Sequence, residues 1–256
     1  MGSVELAHRL GALRERLVGL GGTHVKVVAV TKGFGPDVVA AALSVGLTDI
    51  GENFAQELLA KAASLETAPS EANHLTSDPP SHPIIGGSSD GAALGQPRWH
   101  FVGQLQRNKV RKLAGVVHLW QSVDRFELAS EIARRAPGAK VLVQVDITSI
   151  GMGVGIDSNN PQRGGCAPDA TASLVEHCRS SGLEVEGLMG VGTPGPPEGS
   201  RMGFRKLASL GTELGLAELS MGMSDDLEVA VSEGATMVRV GTSLFGPRPQ
   251  TANPVA

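Results

Sequence analysis

Apolar positions recur along most of the chain in two alternating rhythms. Leu6, Leu10, Leu13 and Leu17 are spaced by four, three and four residues, the stripe of an amphipathic helix that ends in the glycine-rich stretch 19–22. Residues 25–31 then form a β-branched run short enough for a buried strand, and Lys32 sits at its C-terminal end. Val38, Val39, Ala42 and Leu43 mark a second helix. Residues 48–50 lead through Gly51, Glu52 and Asn53 into a third, which runs to about Leu65. Further strands are predicted at 99–102, 117–121, 140–146, 184–189, 219–221 and 237–240, and helices at 109–113, 124–135, 169–181, 201–214 and 225–233.

Strands normally followed by helices imply a parallel sheet, and eight such units imply closure. The pattern predicts the α/β class: a single (β/α)8 TIM-like barrel with an extra N-terminal helix, one domain over 1–256. Periodicity alone leaves an open doubly wound sheet as the alternative. The alternation breaks at 67–97, where Pro, Ser, Gly and His crowd together without periodicity. Such a stretch buries too little apolar area to offset its ordering entropy, so a disordered surface insertion is expected there.

Composition narrows the partners. The net charge of -4 and pI near 6.0 give no basic surplus for nucleic acid or an anionic membrane. No apolar run approaches the roughly 20 residues of a membrane helix. The N-terminus lacks the apolar core of a secretion signal. Two cysteines, Cys166 and Cys178, form no CxxC pair, which argues against a disulfide framework or structural zinc. A cytoplasmic protein with a small-molecule partner is expected.

In such barrels the site lies at the C-terminal ends of the strands, with phosphate commonly held after strands seven and eight. Those loops contain Gly222, Ser224, Gly241 and Thr242, which offer close backbone approach and hydroxyl or amide donors. Ser224 reads equally well as a helix N-cap before Asp225 and Asp226. Alternation puts Met237, Arg239 and Gly241 on one face of the last strand. An inward Arg239 needs a ligand or a carboxylate partner such as Glu52 or Asp146. Val28, Val30 and Lys32 also share a face, so inward valines aim the amine at the barrel mouth. Burial and a nearby arginine would favour its neutral, nucleophilic form. His100, His118 and His177 lack metal-ligand spacing, Cys166 reads as a bystander thiol, and the run Arg107, Lys109, Arg111, Lys112 reads as a solvated face.

Several ordered stretches resemble the pyridoxal phosphate (PLP) homeostasis protein family, whose fold is similar to the N-terminal barrel of alanine racemases. They are 27–32 (VVAVTK), 51–53 (GEN), 99–109 (WHFVGQLQRNK), 187–189 (GLM), 219–225 (LSMGMSD) and 238–242 (VRVGT). The resemblance implies PLP held as a Schiff base on Lys32, with phosphate on Ser224, Gly241 and Thr242. It also implies that Arg239 faces the pyridine nitrogen and that Asn53 lies beside the cofactor. The role it implies is intracellular PLP homeostasis without efficient catalysis, serving PLP-dependent apoenzymes, as a monomer or weak dimer. The 67–97 insertion and the segment 145–155 depart from the family pattern.

The competing class is a PLP-dependent amino-acid racemase, and a more distant one is a barrel enzyme on a phosphorylated substrate. Two-base racemisation needs an acid/base on each face of the substrate, a place that alanine racemases fill with a tyrosine from a second domain. This chain contains no tyrosine. An arginine opposite the pyridine nitrogen also weakens the ring as an electron sink.

Overall fold

In the computed structural model, which describes residues 2–67, 95–148, 150 and 164–248, eight strands pair in chain order into a closed barrel. They are β1 (Lys26–Val30), β2 (Asp49–Glu52), β3 (Arg98–Phe101), β4 (Val117–Val123), β5 (Lys140–Val145), β6 (Glu184–Gly190), β7 (Glu218–Ser220) and β8 (Met237–Val240). All neighbours run parallel, and β8 closes on β1 through the pairs Lys26↔Met237, Val27↔Val238, Val28↔Arg239 and Ala29↔Val240. The open-sheet alternative is thereby excluded.

Around the barrel lie α1 (Ser3–Gly19), α2 (Pro36–Ser44), α3 (Ala55–Thr67), α4 (Arg107–Leu113), α5 (Phe126–Arg135), α6 (Thr171–Ser180), α7 (Arg201–Glu213), α8 (Leu227–Ser232) and α9 (Thr242–Phe245). The leucine stripe of α1 is wholly buried. Strand alternation sorts the apolar residues into two layers. Val28, Leu119, Leu142, Met189 and Met237 fill the barrel interior. Ala29, Ile50, Val141, Val143, Val238 and Val240 face the helices in the larger core.

Three differences from the sequence reading have local causes. β4 runs on to Val123 with a register shift after Trp120, which keeps Gln121 and Ser122 in the strand. The predicted helix at 169 starts as a 3-10 turn, Pro168–Ala170, and becomes α-helical only at Thr171. α9 has four residues, too few to show a periodicity.

Of the predicted insertion 67–97, Thr67 ends α3 and residues 95–97 lead into β3, while residues 68–94 lie outside the described residues. The Arg98 amide donates to Thr48 O at 2.8 Å, at the entry to β2. The chain therefore re-enters the barrel at its N-terminal face, opposite the predicted site. Residues 149 and 151–163, which include most of the second half of the departing segment 145–155, also lie outside the described residues.

The interior apolar layer should carry much of the barrel's stability. Leu142 is fully buried in it, so Leu142→Ala is expected to cost about 2–5 kcal/mol in a denaturant melt, with the slope unchanged.

Candidate functional site

Lys32 directly follows the end of β1, one residue after the buried Thr31. Helix α3 holds the chain on both sides of it. The Lys61 amine donates to Thr31 O at 2.7 Å, and the Gly33 amide donates to Glu57 Oε2 at 2.8 Å. Lys61 is itself buried in an ion pair with Glu52, whose Oε1 also accepts from Thr31 Oγ1 at 2.7 Å. Burial pushes the Glu52 carboxyl up despite the hydrogen bonds from Lys61 and Thr31. The Lys32 amine is half-buried and has no hydrogen-bond partner among the described residues. Desolvation first, then the charges of Arg248 and Arg239, pull its pKa below the ordinary lysine value, against the opposing pull of Glu52 and Glu57.

Arg239 lies inside the barrel mouth, 5% exposed, across the β1–β8 ladder from Val28. One terminal nitrogen donates to Ser220 O at 2.7 Å and Ser220 Oγ at 2.8 Å; the other donates to Gly190 O at 2.8 Å. Of the two alternatives, a ligand or a carboxylate, no carboxylate hydrogen-bonds to it among the described residues. Glu52 belongs to Lys61, and Asp146 accepts from the Thr148 amide at 3.0 Å and hydroxyl at 2.6 Å. Carbonyls at the ends of β6 and β7 meet the guanidinium instead. Burial lowers its pKa to about 10, with Asp226 opposing, so it stays charged at neutral pH. Of its five N–H donors, the Nε–H and one terminal N–H have no acceptor among the described residues.

The loop after β7 places Ser224 half-buried at the same end of the barrel. Asp226, not Ser224, is the N-cap residue of α8. The buried Asp226 carboxylate accepts from the Met223 amide at 2.7 Å, and the Ser224 hydroxyl has no hydrogen-bond partner among the described residues. Gly222 takes φ +91°, and its carbonyl accepts from the Arg239 amide at 3.0 Å. After β8, a Cβ on Gly241 would stand 3.0 Å from Val30 O. The amides of Thr242 and Ser243 have no acceptor among the described residues. On β2, a Cβ on Gly51 would press on Val28 and Val30 at 3.0 and 3.2 Å, so this glycine keeps the barrel wall beside Lys32 low.

Asn53 follows β2 at the same end. A Cβ on Gly103 would fall 2.2 Å from Asn53 O, so only glycine lets the two loops meet. Asn53 lines a cleft of about 810 Å³ with Phe54, Gln104, Lys109, Asp124 and Arg125. All six predicted site residues thus lie toward the C-terminal end, with Arg239 in β8, Gly241 and Thr242 just after it, and Lys32 just after the adjacent strand β1.

Sequence reasoning missed Arg248, whose Cδ lies 3.2 Å from where a Gly33 Cβ would be, and the Lys61–Glu52 pair. The i,i+4 spacing of Glu57 and Lys61 was the available signal for α3's grip. It also missed a buried polar row below Arg239. Ser220 Oγ donates to Gln121 Oε1 at 2.6 Å, Gln121 Nε2 lies 2.7 Å from His100 Nδ1, and His100 Nε2 lies 2.9 Å from Asp49 Oδ1. Cys166 stays a bystander, its thiol pushed up by burial. Among the described residues no group of His, Cys, Asp and Glu could hold a metal, and no helix is long and apolar enough to cross a membrane.

Fold and site together define a barrel of the alanine racemase N-terminal type. The family model described as alanine racemase, N-terminal domain, matches residues 4–249. A PLP homeostasis protein of Pseudomonas aeruginosa is 34% identical over 232 residues, 88% of this chain and 85% of the relative. One from Aquifex aeolicus is 35% identical over 257 residues, 94% and 97% of the two chains. The structure of PipY from Synechococcus elongatus with PLP bound matches with a TM-score of 0.70 and 28% identity, over 94% of this chain and all of that one. The chain belongs to the PLP homeostasis protein family.

The far end of the polar row makes a pH prediction. Burial alone would raise the Asp49 carboxyl, but hydrogen bonds from His100 and Arg98 outweigh it and hold the pKa at about 2, against 3.8 for a free group. A depressed carboxylate stabilises the fold above its unfolded pKa and loses that contribution as pH falls through the folded one. Between pH 4 and 2 the wild type should therefore lose about 1–2 kcal/mol more stability than Asp49→Asn, after allowing for solvent screening. Urea melts across that range measure the difference.

Proposed function

We propose that this chain is a PLP-binding protein of intracellular PLP homeostasis. On this reading it holds the cofactor as a Schiff base on Lys32, in a single barrel domain, without efficient catalysis. The observation that carries this reading is Arg239: a buried guanidinium that, among the described residues, hydrogen-bonds no carboxylate and keeps two N–H groups without an acceptor, at the mouth where the Lys32 amine has a lowered pKa. A buried cation in that state calls for an acceptor on a ligand. PLP offers one in its ring nitrogen, together with an aldehyde for the amine and a phosphate for the loops. The PLP-bound PipY structure and the relatives' names support the same choice.

The residues fit the group. Lowering of its pKa keeps more of Lys32 as the neutral nucleophile, and α3 fixes its backbone. Ser224 and Thr242 offer hydroxyls and Gly241 an open backbone for the phosphate. Asn53 borders the cofactor on the cleft side. Arg239 can donate to a ring nitrogen but keeps its own proton, so the ring remains a weak electron sink. With no tyrosine in the chain, the phenol that racemases place opposite the lysine has no counterpart among these residues. A cytoplasmic location, delivery to PLP-dependent apoenzymes and a monomeric or weakly dimeric state complete the proposal.

Purified protein, or protein given PLP, should be yellow. Borohydride should fix the cofactor to Lys32 by peptide mapping, and Lys32→Ala should bind without covalent capture. Wild-type protein that takes up no added PLP would overturn the reading. Incubated with L-alanine in heavy water, the loaded protein should exchange the α-proton no faster than free PLP; exchange at enzyme-like rates would replace the carrier with a racemase.

A further inference from the structure

The polar row beneath Arg239 has a direction. An arginine side chain can only donate, and an ionised aspartate can only accept. At one end, Arg239 gives a hydrogen to Ser220 Oγ at 2.8 Å, so the Ser220 hydroxyl spends its own hydrogen on Gln121 Oε1 at 2.6 Å. That fixes the amide with Nε2 toward His100 Nδ1 at 2.7 Å, where the ring nitrogen must accept. The imidazole proton then lies on Nε2 and is given to Asp49 Oδ1 at 2.9 Å. Turning the Gln121 amide over would set its NH2 against the Ser220 O–H and its carbonyl against an unprotonated ring nitrogen, breaking two bonds in a dry interior. Each link therefore depends on the next.

The setting makes this row costly unless it has a use. Ser220, Gln121 and His100 are 0%, 0% and 2% exposed, and their neighbours in the interior layer are Val28, Leu119, Leu142, Met189 and Met237. An apolar side chain at position 121 would continue that layer without any network to satisfy. What the row does is hold one terminal nitrogen of Arg239. With Ser220 O and Gly190 O it gives the guanidinium three fixed points, which sets where its two unspent donors aim.

We infer that Gln121 and His100 are positioning residues for Arg239, acting through Ser220 along a one-way hydrogen-bond chain that crosses the barrel from the cofactor mouth to Asp49 at the opposite face. The inference rests on the PLP-binding reading above. Without Gln121 the Ser220 hydroxyl is free to rotate, and the arginine loses the orientation that presents it to the ring nitrogen.

Gln121→Met keeps length and apolar volume while removing both links, and Ser220→Ala removes the hydroxyl alone. Each is compared with wild type by PLP titration, by the position of the bound cofactor's absorption band, and by cooperative melting. Both variants should bind PLP roughly five- to ten-fold more weakly with a displaced band, and Ser220→Thr should restore the band. Nitrogen NMR of His100 in the cofactor-free wild type should show a bare Nδ1 and a protonated Nε2. A folded Gln121→Met or Ser220→Ala protein with wild-type band and affinity overturns the inference alone, as does a wild-type His100 protonated on Nδ1. Should Gln121→Met fail to fold, Ser220→Ala and the tautomer decide. A wild type that takes up no PLP overturns the preceding reading and this inference together.

Discussion

A positive charge inside a closed barrel has few ways to be tolerated. It can meet a carboxylate, be neutralised, or be surrounded by fixed dipoles and left with a face toward a ligand. Arg239 takes the third course: the ends of β6 and β7 each turn a carbonyl toward it, and Ser220 adds its hydroxyl. Those carbonyls belong to the last residues of the parallel strands β6 and β7, at the C-terminal end of the barrel. Position within the barrel thus decides both how the charge is tolerated and where its unspent donors remain. The loops that follow, with Gly222 accepting from the Arg239 amide, are built outward from that residue.

Lys32 is governed by the opposite face of the sheet. On the helix side, Glu52 and Lys61 form an ion pair in which both members are nearly inaccessible, at 0% and 4% side-chain exposure. Removing one partner of such a pair costs about 3–5 kcal/mol, whereas replacing both with apolar groups can cost little. The pair is thus weak evidence for stability and better evidence for position. Through Thr31 O on one side and the Gly33 amide on the other, α3 grips the two peptides that flank Lys32. Glu52 Oε2 remains buried and unpartnered, and with Glu57 it opposes the two arginines acting on the Lys32 amine. Desolvation and the arginines prevail, so the amine's pKa lies below the ordinary lysine value.

Much of this was legible in the sequence because alternation is a strong signal. Val28, Val30 and Lys32 in one strand, and Met237, Arg239 and Gly241 in another, could be assigned to one face before any contact was known. Barrel closure then brought residues about 200 positions apart onto adjacent strands. Partners were less legible. The expected carboxylate for Arg239 proved to be backbone, which has no residue signature. The serine that reads as an N-cap is not one, because α8 begins only at Leu227 and leaves Asp226 at the cap, its carboxylate accepting from the Met223 amide. The row from Ser220 to Asp49 joins β7, β4, β3 and β2, and only the register of the closed sheet brings those residues together. The 67–97 segment was legible only as a break in rhythm, and most of it lies outside the described residues.

The two governing interactions meet at one amine, and their arrangement bears on why a carrier and a catalyst can share a barrel. A catalyst needs a ring that accepts electrons and a second base across the substrate. On the proposed reading, the group offered to the ring nitrogen is an arginine oriented from below, whose proton is not released at neutral pH. Covalent capture needs neither an acidic partner nor a second base: it needs a neutral amine, an acceptor-seeking cation and a place for phosphate. Residues at the ends of β1, β7 and β8 suffice for that, so the proposed tether can be complete while a racemase's chemistry is not.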